Sequence, residues 1–135
     1  MKHKLIIISF LIFLQSCEFN VSSAYISDAK VCTNMEKNSC DDNQISISSS
    51  TKEIFTTATL KNAPKDTKVT ITWQYDNHNS WYEIDQVILR NSNENNIISS
   101  SLNAPTHGWP LGNYRIIYSL DINNSKPIII EFSIE

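Results

Sequence analysis

The chain of 135 residues carries three cysteines and three histidines, the side chains best suited to nucleophilic or metal chemistry. Cys32 and Cys40 are not spaced as Cys-x-x-Cys, so they do not read as a redox-active pair. Two cysteines with no histidine nearby also fall short of the four ligands of a structural zinc site. His78 and His107, together with Asp76, form the one donor set whose composition suits zinc. Neither histidine sits in a tight ligand motif, and loop histidines are ordinarily solvated. Asp28, Glu36, Asp41 and Asp42 suit weak calcium binding by type. They lack EF-hand spacing and read as a solvated acidic segment. Ser48–Ser50 and Ser99–Ser101 sit in no Gly-x-Ser-x-Gly context, which leaves no activated serine. The chain's two glycines build no phosphate-cradling loop. No catalytic constellation emerges, and neither cofactor nor metal is expected.

The elements that position these residues read as strands. Val69, Ile71, Trp73 and Tyr75 alternate with Thr70, Thr72, Gln74 and Asp76, the period of a half-buried strand. Tyr114, Ile116, Tyr118 and Leu120 repeat the pattern, as do Ile128, Ile130, Phe132 and Ile134. Weaker alternation marks Ile45–Ser48, Ile54–Leu60, Tyr82–Leu89 and Ile97–Leu102. Turn-forming runs separate them, among them Asn62-Ala63-Pro64-Lys65-Asp66, Asn77-His78-Asn79-Ser80 and Asn103-Ala104-Pro105-Thr106-His107-Gly108. No window past the N-terminal segment sustains a helical period. About seven short strands at this spacing predict an all-β sandwich of antiparallel strands.

The N-terminus has a different character. Met1-Lys2-His3-Lys4 is followed by an apolar run, Leu5 to Leu14, too short to span about 30 Å of hydrocarbon. A basic start, a short apolar core and small residues after it are the pattern of a cleaved secretory signal peptide. Leu14-Gln15-Ser16-Cys17 closes the run and resembles the lipobox of bacterial lipoproteins. The resemblance implies cleavage after residue 16, diacylglycerol on the Cys17 thiol and membrane attachment. Residues 18–27 then read as a tether and residues 28–135 as the domain. Residue 18 is Glu, not the Asp that resembles an inner-membrane retention signal, so the outer membrane of a two-membrane cell is expected. With Cys17 committed to lipid, Cys32 and Cys40 remain as a pair. An exported chain meets oxidising conditions, so a disulfide between them is expected.

The strand region resembles an immunoglobulin-like sandwich. Trp73 takes the place of a buried mid-strand tryptophan. Leu111-Gly112-Asn113-Tyr114 resembles a tyrosine corner, in which a Tyr hydroxyl bonds back to nearby backbone. Gly108-Trp109-Pro110, running into Gly112 and Tyr114, resembles the final hairpin of bacterial Ig-like lipoproteins. In such a topology Ser48–Thr51, His78–Tyr82 and Thr106–Pro110 gather at one pole. That makes His78, Trp81, Tyr82, His107 and Trp109 the candidate binding residues, since aromatic side chains on loops favour binding surfaces. The plainer reading has Trp81 and Trp109 plug the open end of the core.

Charge narrows the partners. The formal charge of −3 becomes −5 once Lys2 and Lys4 leave with the leader. That balance opposes binding to nucleic acid or anionic lipid. Of the 135 residues, the 119 left after removal of 16 suffice for one domain. The reading is a membrane-anchored, non-enzymatic interaction module for another envelope or host protein. The alternatives are an inhibitor of a secreted hydrolase such as lysozyme, inserting Trp109-Pro110 into its cleft, and a metal-dependent enzyme at His78 and His107.

Overall fold

The computed structural model describes residues 23–92, 96–123 and 125–135. The leader, Cys17 and residues 18–22 lie outside them. The described chain is all-β and contains no helix. Its eight strands are β1 (Tyr25–Cys32), β2 (Ser46–Ile47), β3 (Glu53–Lys61), β4 (Lys68–Asp76), β5 (Trp81–Arg90), β6 (Asn96–Asn103), β7 (Gly112–Leu120) and β8 (Ile128–Ile134). They form a three-stranded sheet, β1-β3-β6, and a five-stranded sheet, β2-β8-β7-β4-β5.

The period-two runs become the inner faces. Val69, Ile71, Trp73, Tyr114, Ile116 and Tyr118 of the larger sheet meet Ile54, Ala58, Leu60 and Ile98 of the smaller, all buried. Two side-chain bonds join the layers. Thr56 Oγ1 donates to the Lys30 carbonyl at 2.8 Å, so the 2.6 Å contact with Tyr118 is donated by the Tyr118 hydroxyl. Trp73 Nε1 donates to Ser100 Oγ at 2.9 Å.

Two elements differ from the sequence reading. β1 was not expected, and it starts three residues inside the stretch read as tether. Tyr25, Ile26 and Ser27 pair with Lys61, Leu60 and Thr59, and a bulge intervenes before Lys30 meets Thr57. Asp28 takes φ 53° in that bulge. Ile26 and Val31 both point inward although five positions apart, because the extra residue shifts the alternation. That shift hides the strand from a period-two search. The second difference is β2, which pairs in parallel with β8, so the sandwich is not wholly antiparallel.

The expected disulfide is present, and Cys32 ends β1. It clips a small hairpin in which Glu36 and Ser39 exchange backbone bonds at 3.0 Å. Lys37 and Asn38 both have positive φ there, as a type I′ turn requires. The clip lies on the outer face of the smaller sheet, where the Cys40 amide donates to Thr57 Oγ1 at 3.0 Å. Closing nine residues (sequence separation 8) constrains the unfolded chain. Reduction is expected to lower stability by about 2.5 kcal/mol. Denaturant midpoints with and without reductant check this; unchanged midpoints refute it.

Burial of the tyrosines predicts a pH dependence. Desolvation raises the pKa of Tyr114 to about 12, with repulsion from Tyr75 adding to it, and desolvation also raises that of Tyr118. A folded-state pKa raised above the unfolded value gives stability that is whole below pH 10. It is lost as pH climbs from 10 towards the folded values, because only the unfolded chain releases its proton there. Tyr118 alone is expected to contribute a loss of about 1.4 kcal/mol per pH unit above 10. Unfolding free energies at pH 9 and 11 check the sign, and Tyr118→Phe should flatten the slope.

Candidate functional site

The three expected loops do meet at one end of the sandwich. Ala104 N donates to the Lys52 carbonyl at 2.8 Å, and Trp109 Nε1 donates to the Thr51 carbonyl at 2.7 Å. Asp76 and Trp81 close the β4–β5 hairpin at the same end, where Tyr75 Oη donates to the Leu111 carbonyl at 3.1 Å. Gly112 is favoured there because its φ of 134° is one that residues with a Cβ rarely adopt. Tyr114 Oη donates to the Pro110 carbonyl at 2.6 Å, four residues upstream, the bond expected of the Leu111–Tyr114 motif.

The five candidate side chains nevertheless point different ways. Trp109 is 7% exposed, meets Tyr114 edge-on with ring centroids 6.4 Å apart, and caps the core. It is therefore not free to enter a partner's cleft, and an inhibitory loop built on it loses its residue. Trp81 is not a core plug. It turns to the outer face of the larger sheet, where the Arg115 guanidinium lies 4.1 Å from its ring centroid. Tyr82 is 66% exposed and opposes Tyr75 on the inner side. His78 and His107 are exposed on turns. Among the described residues no three His, Cys, Asp or Glu gather to hold a metal, so His78, His107 and Asp76 are not assembled into a centre. Of the four acids, Glu36 and Asp41 do adjoin. The hydrogen bond that the protonated Glu36 carboxyl donates to the Asp41 carboxylate, then repulsion between the two charges, holds the Glu36 carboxyl above its usual range.

Arg115 was missed. Its signal was present: a polar residue alternating with Tyr114 and Ile116 must face outward. Register places Glu83, Gln74, Arg115 and Glu131 side by side across β5, β4, β7 and β8. Arg115 Nε donates to Gln74 Oε1 at 2.6 Å, which holds the guanidinium under Trp81. The outer face of the larger sheet thus carries a row of planar polar groups beside one indole.

The two tryptophans should separate in stability. Trp109→Phe leaves the Thr51 carbonyl without its donor and is expected to cost about 1–3 kcal/mol. Trp81→Ala loses a partly exposed cation–π contact worth about 1 kcal/mol or less. Chemical denaturation of both variants checks the order, and a larger loss for Trp81→Ala would refute it.

No family model matches the chain, and no curated protein matches it. Among solved structures, the β-glucosidase EmGH1 of Erythrobacter marinus is similar over 84% of this chain and 15% of its own, with TM-score 0.48 and 8% identity. A β-glucosidase of Listeria innocua is similar over 83% and 16%, with TM-score 0.48 and 9% identity. The chain thus spans about one-sixth or less of the enzymes it matches.

Proposed function

We propose that the chain is a lipid-anchored protein of the bacterial envelope whose sandwich serves as a non-enzymatic interaction module. The observation that carries it is the state of β5. A strand of ten residues leaves Tyr82, Ile84 and Ile88 exposed at 66%, 40% and 59%, at the edge of a sheet whose neighbouring strand is well buried. Tyr82 lies on the inner side of the strand and Ile88 on the outer, so an open edge strand presents large apolar side chains on both of its faces, a feature of association surfaces. Trp81, which opens the same strand, and Arg115 of β7, which lies against its ring, are residue types enriched at interface cores. The anchor rests on the lipobox and places the module at a membrane surface, with Glu18 favouring the outer membrane.

The test is in-cell crosslinking followed by purification in mild detergent, comparing the parent with Tyr82→Ser/Ile88→Ser. Loss of a specific crosslinked partner in the variant supports the reading. No partner above background, with turnover of a substrate by the purified chain, overturns it.

A further inference from the structure

The two sheets are unequal: the larger extends past the smaller by the two-residue β2 on one side and by the ten-residue β5 on the other. β1 lies against β8, β3 meets β7 through Thr56 and Tyr118, and β6 meets β4 through Ser100 and Trp73. Following the two sheet orders outward, β5 overhangs one strand position past β6. Its inner side is identified by register, because Tyr82, Asp85, Val87 and Leu89 oppose Tyr75, Trp73, Ile71 and Val69. On β4, Val69, Ile71 and Trp73 are at most 1% exposed. On β5, Tyr82 and Asp85 are exposed, and Val87 and Leu89 are only half-buried. β6 borders this recess with its own open edge. It is paired over eight residues to β3 without a bulge, and to no other described strand.

We propose that the recess accepts a strand: an extended segment of a partner protein pairs with the open edge of β6 and covers the inner face of β5. Strands in a sheet lie about 4.7–4.9 Å apart, so a strand beside β6 stands opposite β5 as β6 stands opposite β4. Backbone pairing supplies affinity and alternate side chains supply selection. Leu89 and Val87 select apolar residues at alternate positions. Asp85 faces the middle of the recess and selects Lys or Arg where the segment passes it. A second copy of this chain is the poorer occupant. The molecule is net acidic at −3, and β6, Asn-Ile-Ile-Ser-Ser-Ser-Leu-Asn, offers no cation to Asp85.

This rests on the interaction reading above but fails separately from it. The full lipidated chain in detergent is titrated with a synthetic peptide of about ten alternating Val and Thr residues bearing one central Lys. Hydrogen exchange is followed by mass spectrometry. The expected result is slowed exchange confined to residues 96–103 and 81–90, with no effect from the same peptide N-methylated along one edge. Asp85→Lys should weaken binding about tenfold and shift preference to the peptide with central Glu. Asp85 is exposed, so this variant keeps its fold. No binding, protection elsewhere, undiminished binding by the N-methylated peptide, or self-association that protects 96–103 without peptide would each overturn the proposal. A partner retained equally by the Asp85→Lys chain overturns the strand site and leaves the interaction reading in place.

Discussion

Trp73→Ala is expected to lower the stability of the sandwich by about 3–5 kcal/mol, the cost of removing a large buried aromatic and leaving a cavity. The indole is 1% exposed and meets Phe132 edge-on at 6.4 Å between centroids. Its Nε1 donates across the layers to Ser100 Oγ, so the substitution also strips a partner from β6. A domain of this size is held by about 5–15 kcal/mol in all, so the variant should be partly unfolded at modest temperature. Trp73→Phe keeps most of the apolar area and loses only the bond to Ser100, for about 1 kcal/mol beyond the lost volume. Urea midpoints for the pair check both figures. A Trp73→Ala chain within 1 kcal/mol of the parent would mean that the two sheets do not close on this side chain.

The legible part of the fold is the part that obeys a single period. β4, β7 and β8 bury one face against the opposing sheet, and the residues between are polar except Ile117 and Ile129, which pair with each other on the outer face. Trp73 and Tyr114 stood in such runs, and both are buried with the hydrogen bonds their polar tips need. β1 was not legible because its bulge places Ile26 and Val31 on one face at an odd spacing. β2 has two residues and a parallel partner more than eighty positions away, which no local pattern encodes.

The site was legible at the level of chain ends and not of side-chain direction. Alternation and loop order brought the three loops to one end correctly, because antiparallel neighbours share their turns. Trp81 and Trp109 both sit beside turns, where no period says which face a side chain takes. Trp109 follows Gly108 at φ 80° and folds under the Thr51 carbonyl, while Trp81 opposes Asp76 on the outer face. The overhang of β5 depends on how two sheets of different width are laid together. It follows from the pairings of β3 with β7 and β6 with β4, which only the assembled layers reveal.

Cys17→Ala is expected to move the protein from the membrane fraction to the soluble fraction while the sandwich stays folded. Under the proposed anchor, diacylglycerol on Cys17 buries tens of CH₂ groups at about 0.8 kcal/mol each, and the variant leaves the membrane once another peptidase removes the apolar leader. The net charge of −3 gives no electrostatic hold on anionic lipid. The fold should be indifferent to the change. Among the described residues the first paired in a sheet is Tyr25, eight positions after Cys17, and the next, Ile26, is buried. Lipid at residue 17 contributes nothing to the pairing of β1 with β3, so the denaturation midpoint of the variant should match the parent within about 0.5 kcal/mol. Membrane fractionation and intact mass settle the matter together. The parent should carry acyl mass on a chain beginning at Cys17, and the variant should carry none. A parent without added lipid, or a variant still sedimenting with membranes after export, would remove the anchor from the proposal and leave the interaction surface on β5 to be judged on its own.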